Sequence, residues 1–213
     1  MVNQCSTVIL ADGEFPATEK TLNILKKAER IICCDGAAEK LIHFGLEAEA
    51  IIGDLDSLPI SLKEKYAEKI IHVAEQESND LTKAFRYCRA KNYHDVVILG
   101  ATGKREDHTL GNLSLLALYA EELPNIKIVS DYGEFFVIFE GGTFPSIAGE
   151  QISIIALDSN CIIKSSKNLK YPIDNLKLSY WYQATLNEAT ADNFSLEFPP
   201  HHPILIYRGG KKY

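Results

Sequence analysis

From Thr7 to Ser130 the chain repeats one unit: a short apolar run, a turn bearing Gly or Asp, and a segment of helical spacing. Residues 7–10 are the first run, and Ala11-Asp12-Gly13 is its turn. Leu22, Leu25 and Ala28 recur at helical spacing within residues 18–28, and residues 30–34 form a second run. Asp35-Gly36-Ala37-Ala38 follow, small residues that let a helix begin close to whatever occupies the strand end. That helix carries Ala37, Ala38, Leu41 and Ile42 on one face, and Gly45 is placed to close it. Residues 50–52, 69–73, 95–99 and 126–130 read as further strands. Strands that alternate with helices imply a parallel sheet covered on both faces, a Rossmann-like α/β domain.

Beyond residues 131–133 the pattern changes. Short alternating runs at 135–139, 151–157, 161–164 and 195–198 are broken by Gly141-Gly142, Gly149, Asp158-Ser159-Asn160 and Pro199-Pro200, without a helical period. This predicts a small all-β domain of sandwich or barrel type. The expected domains are therefore residues 1–131 and 132–213. The second is thin for an independent core, which points to burial against another copy. Tyr180-Trp181-Tyr182 is expected to fill a core or interface, with stacking on a flat ligand as the alternative.

The net charge of -7 opposes non-specific nucleic-acid binding but not a nucleotide, which needs only a local cationic patch and a metal. Five scattered cysteines lack zinc-like spacing and read as reduced core residues. The N-terminus lacks a signal-peptide pattern, and no apolar run approaches the roughly 18 residues of a membrane span. A cytosolic protein is expected.

Chemistry concentrates where these strands end. In Ile51-Ile52-Gly53-Asp54-Leu55-Asp56-Ser57-Leu58 a strand runs into two carboxylates spaced by two, which an extended chain would present on one side. Like charges about 4 Å apart repel by roughly 1 kcal/mol in water and about 4 at an effective dielectric near 20, so a cation such as Mg²⁺ belongs between them. An ordinary acidic turn is the alternative. Ser78 or Asn79 can cap the helix carrying Leu81, Ala84, Phe85 and Cys88, putting Asp80 in its first turn; complementing the helix dipole is its simplest role. Gly100-Ala101-Thr102-Gly103-Lys104-Arg105-Glu106-Asp107-His108 connects a strand to a helix expected over residues 109–122. That arrangement offers N–H groups and cations to phosphate, although it matches neither the Walker nor the dinucleotide glycine pattern and can be read as a plain connecting loop. All these groups fall at strand ends or helix starts, and convergence on one sheet edge makes a site fit for metal-assisted phosphoryl transfer.

In that order, Cys34-Asp35-Gly36-Ala37-Ala38, Gly53-Asp54-Leu55-Asp56-Ser57, Asn79-Asp80-Leu81-Thr82-Lys83-Ala84 and the loop from Gly100 to His108 closely resemble the motifs of the thiamine pyrophosphokinase family. Leu169-Lys170-Tyr171-Pro172-Ile173, Asn187-Glu188 and His202-Pro203-Ile204 extend the resemblance more loosely. It implies an ATP-binding α/β domain, a thiamine-binding β-sandwich that also dimerises, a homodimer with shared sites, and Mg²⁺-dependent diphosphate transfer from ATP to thiamine with release of AMP. By the same resemblance Asp54, Asp56 and Asp80 bind metal and act in catalysis with Arg105 and Asp107. Asp35, Gly36, Gln76, Asn79, Lys83, Gly100, Thr102, Gly103, Arg105 and His108 face the nucleotide. Trp181, Thr185 and Asn187 are the candidates for thiamine. The chain departs from the family at Asn79, where Thr is usual, at Gly103-Lys104, where glycine is doubled, and at Thr185-Leu186-Asn187, where Ser-x-Ser-Asn is found. A related diphosphokinase acting on a pterin-like alcohol, or a nucleotide- or thiamine-binding regulator without catalysis, are the competing readings.

Overall fold

The computed structural model describes residues 6–56 and 58–210; Cys5 and Ser57 lie outside the described residues. The chain divides into two compact units, Met1–Asp131 and Tyr132–Tyr213.

In the first unit β1 (Thr7–Leu10), β2 (Arg30–Cys34), β3 (Ala50–Gly53), β4 (Ile70–His72), β5 (Val96–Leu99) and β6 (Lys127–Val129) lie in the order β6-β5-β1-β2-β3-β4. Each neighbouring pair is parallel. All four residues of β1, β3 and β5 are buried, as a sheet covered on both faces requires. The chain steps outward from β1 to β4 and then returns to the other side of β1. The reversal between β1 and β5 is a topological switch point, the place in open α/β sheets where ligands bind.

The helices are α1 (Glu19–Lys27), α2 (Ala37–His43), α3 (Ile60–Lys65), α4 (Asp80–Ala90) and α5 (Glu106–Glu122). Thr18 caps α1 by accepting from the Thr21 N–H, and Asn79 caps α4 by accepting from the Thr82 N–H at 2.9 Å. Past the end of α2, Gly45 has φ 87, the Gly45 N–H reaches the Ile42 carbonyl and the Leu46 N–H reaches that of Leu41. These are the two closing bonds of a Schellman motif. Leu25, Ala38 and Leu41 pack with Val8, Leu10, Cys33, Ile51 and Leu99 in one apolar layer. On α4 and α5, Phe85 stacks on Tyr119 at 4.3 Å, and the buried Tyr119 hydroxyl meets Thr82 Oγ1 at 2.7 Å. Helix α5 starts three residues earlier than expected: Glu106, Asp107 and His108 form its first turn, where their polarity hides the helical period.

The second unit contains β7 (Gly133–Ile138), β8 (Gly142–Pro145), β9 (Gln151–Ala156), β10 (Ile162–Ile163), β11 (Ser165–Lys167), β12 (Leu176–Lys177), β13 (Ala184–Glu188), β14 (Asn193–Glu197) and β15 (Ile204–Gly209). Strands β13-β9-β15-β7 are antiparallel neighbours, as are β11-β14-β8 and the pair β10-β12. Ile152, Ile154, Ile163, Phe194, Leu196, Ile204 and Ile206 form their shared core. Among the described residues no helix is long and apolar enough to cross a membrane.

Candidate active site

The loops after β1 and β5 meet at the switch point. The Gly13 N–H donates to the Gly100 carbonyl at 2.7 Å, and the Glu14 N–H donates to that of Thr102 at 2.8 Å. Side chains would not fit: a Cβ on Gly13 would stand 2.3 Å from the Gly100 oxygen, and Gly100 itself has φ 68. Beside these loops opens a cleft of about 340 Å³ whose lining includes Asp12, Gly13, Asp35, Gly36, Asn79, Asp80, Gly103, Lys104, Arg105, His108 and Asn112.

Three carboxylates gather at one side. Oxygens of Asp35, Asp54 and Asp80 all lie within 4.8 Å of one another. They come from three segments: Asp35 follows β2, Asp54 follows β3, and Asp80 is the first residue of α4. Gly53 makes the approach possible, because a Cβ there would stand 2.9 Å from Asp35 Cβ and 3.2 Å from Asp80 Cγ. Asp35 takes a positive φ of 25, rare for a residue with a Cβ. The Gln76 amide donates to Asp54 Oδ2 at 3.2 Å, and this bond, with the Asp56 N–H, holds the Asp54 carboxyl below the usual carboxylate range. Lys83 donates to Asp80 Oδ1 at 3.1 Å from beneath, its side chain only 3% exposed. Burial pushes the Cys34 thiol well up, and the Asp80 charge raises it further, so a neutral thiol lies beside the acids. Hard oxygen donors in this number and spacing suit a divalent cation such as Mg²⁺.

The group of three leaves out Asp56, which the sequence spacing pairs with Asp54. Strand β3 ends at Gly53, and Leu55 takes φ 68, so the chain turns and the i, i+2 rule for extended backbone no longer applies. Asp56 is exposed and outside the three-carboxylate group, whose third member is Asp35. Arg105 and Asp107 grip each other on the surface, with side chains 71% and 63% exposed. That bond holds the Asp107 carboxyl low, and Arg105 lines the cleft while Asp107 stands outside the lining. Lys83 is a support under Asp80 rather than a cleft wall, Gly100 supports Gly13, and Thr102 supports Glu14 through its carbonyl.

Two structural supports were not singled out from the sequence as functional. Asp12 and Gly13 repeat after β1 the Asp-Gly step that Asp35 and Gly36 make after β2, a signal that could have found them. Asn112 accepts from Asn79 Nδ2 at 3.1 Å and donates to the Ala101 carbonyl at 2.8 Å, tying the α4 cap to the glycine loop. Its position in the middle of α5 gave no such signal.

In the second unit Asn187 is 2% exposed and its amide is consumed. Nδ2 donates to the Tyr171 carbonyl at 2.7 Å, while Oδ1 accepts from the N–H groups of Tyr171 and Glu188 at 3.1 and 2.9 Å. This is a buried pin rather than a free ligand contact. Asn187→Ala would orphan these backbone groups and should lower stability by about 2 kcal/mol, read as a reduced denaturant midpoint; unchanged stability with a raised KM for the acceptor would restore Asn187 to the binding surface. Tyr180, Trp181 and Tyr182 do not fill the core of their unit: they are 68%, 46% and 74% exposed, and Tyr180 stacks on Tyr182 at 6.2 Å. Thr185 donates from Oγ1 to the Tyr182 carbonyl at 2.9 Å, beside a register shift in β13 at which Leu186 takes φ 59.

Fold and site together define an open α/β protein with an acidic, glycine-lined cleft at the carboxyl ends of its strands, joined to an antiparallel β unit. The family model described as thiamin pyrophosphokinase, catalytic domain, matches residues 21–129, and that of the thiamin pyrophosphokinase substrate-binding domain matches residues 133–207. The chain belongs to the thiamin pyrophosphokinase family. It is 26% identical over 211 residues to thiamin pyrophosphokinase 1 of Caenorhabditis elegans, with 92% of this chain and 86% of that one covered. It is 29% identical over 153 residues to thiamine pyrophosphokinase of Bacillus subtilis, covering 68% and 71%. Among solved structures, yeast thiamin pyrophosphokinase shares the fold with a TM-score of 0.81 at 17% identity, over 97% of this chain and 86% of that one. The enzyme from Geobacillus thermodenitrificans does so with a TM-score of 0.77 at 22% identity, over 97% and 98%.

Proposed function

We propose that this chain is a thiamine diphosphokinase that moves the terminal diphosphate of ATP to the hydroxyethyl oxygen of thiamine, giving thiamine diphosphate and AMP. Family membership supports the reaction class, and the observation that carries the residue roles is the gathering of Asp35, Asp54 and Asp80 beside the two glycine loops. Mg²⁺ held by these three carboxylates would supply neutralisation of phosphate charge. Asp56 is not placed among the ligands.

The chain's own residues do the positioning. Backbone around Gly13, Gly36 and Gly103 lets the phosphates approach closely, and Arg105, half of an exposed pair, is free to exchange Asp107 for a phosphate oxygen. Gln76 fixes the orientation of Asp54, Lys83 that of Asp80, and the Asn79–Asn112 contact keeps the start of α4 against the loop after β5. The thiamine oxygen forms a bond to the β-phosphorus as the bond to the α,β-bridging oxygen breaks, the hydroxyl proton is released, and AMP leaves with the electron pair. A loose transition state of this kind is served mainly by positioning and charge neutralisation.

For the acceptor, the exposed Trp181 and the neighbouring Thr185 remain the proposed contacts. Exposed Ile147, Tyr171 and Leu186 in the same unit support pairing with a second copy. Buried, unbridged Cys33, Cys34, Cys88 and Cys161 support a reducing, cytosolic setting.

Purified protein given ATP and Mg²⁺ should release AMP only when thiamine is present, with thiamine diphosphate formed in equal amount. AMP release that ignores thiamine but responds to another alcohol would reassign the acceptor. ATP binding without any AMP would make the chain a binding protein.

A further inference from the structure

At the rim of the cleft one carboxylate holds two ammonium groups. Lys40, on α2, donates from Nζ to Asp12 Oδ1 and, at 3.1 Å, to the Gly13 carbonyl. Lys104 Nζ donates to the Asp12 carbonyl at 2.7 Å and to Asp12 Oδ1 at 3.1 Å. Two positive charges therefore share one negative charge, and both lysine side chains remain open to solvent, 34% and 49% exposed. Ion pairs this exposed contribute little to stability. Stability does not explain the arrangement.

The backbone makes the case sharper. Lys104 takes φ 59, next to Gly103 at φ 77, so a lysine stands where glycine would be relaxed and a side chain is strained. Its ammonium then reaches back to the loop after β1. Asp12, Lys104 and Arg105 all line the same cleft as Asp35 and Asp80. The cleft thus has an acidic side, suited to a cation, and a rim that carries the cations Lys104 and Arg105.

We infer that Lys104 and Lys40 form a phosphate clamp held ready by Asp12. The phosphate chain of the incoming nucleotide draws the Lys104 ammonium from the shared carboxylate onto a non-bridging oxygen, and Lys40 stays on Asp12 and keeps it neutralised. The exchange swaps one oxygen anion for another around an ammonium, and no covalent bond changes. Lys104 is thereby a binding residue and Lys40 a positioning residue. This rests on the reading that the cleft takes a nucleoside triphosphate.

The variant that isolates the ammonium is Lys104→Gly, since glycine relaxes the backbone while removing the charge. Calorimetric titration with a non-hydrolysable ATP analogue plus Mg²⁺, with inorganic tripolyphosphate, and with adenosine separates the parts of the ligand. For Lys104→Gly the melting temperature should hold or rise, and affinity for the analogue and for tripolyphosphate should fall by about tenfold, the scale of one charge-assisted hydrogen bond. Adenosine affinity should stay within about twofold, as expected for a ligand that lacks the phosphate partner. Lys40→Met should weaken tripolyphosphate less than Lys104→Gly does, because its ammonium acts through Asp12. Unchanged tripolyphosphate affinity in Lys104→Gly overturns the clamp, and a lower melting temperature with it would mark the lysine as structural. If the unaltered protein binds neither analogue nor tripolyphosphate, the clamp fails together with the nucleotide reading. If tripolyphosphate affinity depends on Lys104 but AMP release does not depend on thiamine, the clamp stands and only the acceptor assignment fails.

Discussion

Asp54→Asn should lower turnover by a hundredfold or more while leaving the melting temperature where it was. Loss of one carboxylate from the group of three removes a share of charge neutralisation worth several kcal/mol in a transition state that spreads negative charge over phosphate oxygens. The fold should barely register it, because Asp54 sits beyond the end of β3, and an asparagine still offers an oxygen to Gln76. Relief of repulsion from Asp35 and Asp80 acts in the stabilising direction. Asp80→Asn should lose activity to a similar degree but also melt lower, since Lys83 is buried against that carboxylate and would lose its charged partner. Steady-state kinetics beside thermal melts of both variants checks this: near-full turnover in a normally folded Asp54→Asn would remove that residue from the chemistry, and equal melting of the two would contradict the support role of Lys83.

Gly13→Ala is the second large effect. A methyl group there meets two backbone oxygens, those of Gly100 at 2.3 Å and Thr102 at 2.4 Å, and no flexible side chain can yield. The loops after β1 and β5 have to part, breaking the Gly13-to-Gly100 and Glu14-to-Thr102 hydrogen bonds that set the cleft floor. Overpacking of this kind costs about 1–3 kcal/mol, and nucleotide affinity should fall by about tenfold or more, since displaced phosphate contacts are lost together. Chemical denaturation and calorimetry of the variant would measure both. A Gly13→Ala protein with normal stability and normal affinity would show that the two loops do not depend on each other.

How far the sequence foretold this molecule depends on what each segment is made of. Strands β1 and β2 were legible to the residue because β-branched apolar runs are bounded by turn-forming Asp, Gly and charged residues. The capped start of α4, left between Ser78 and Asn79, and the apolar face of that helix were legible for the same local reason. Strands β8, β11 and β12 were not, being two to four residues long and largely exposed, with little apolar alternation to read. The membership of the acidic group escaped a spacing argument because it is set by contact across segments. Leu55, a residue type with no turn signature, bends Asp56 away, and the bare Gly53 admits Asp35 from the neighbouring strand end. The Asn187 amide likewise could not be known as spent until Tyr171 was seen beside it.

The sheet order also sets where the cleft gives way first. Gly13 and Gly103 hang from β1 and β5, each flanked by strands on both sides within the first unit, whereas Gln76 follows β4, the sheet's outer strand, which is three residues long and only half-buried. In native-state hydrogen exchange, the amides of β1 and β5 should open only with the whole unit, while those of β4 open locally at much smaller free energy. The cleft floor under Gly13 and Gly103 should then hold its shape while the strand leading to Gln76 opens and closes beside it.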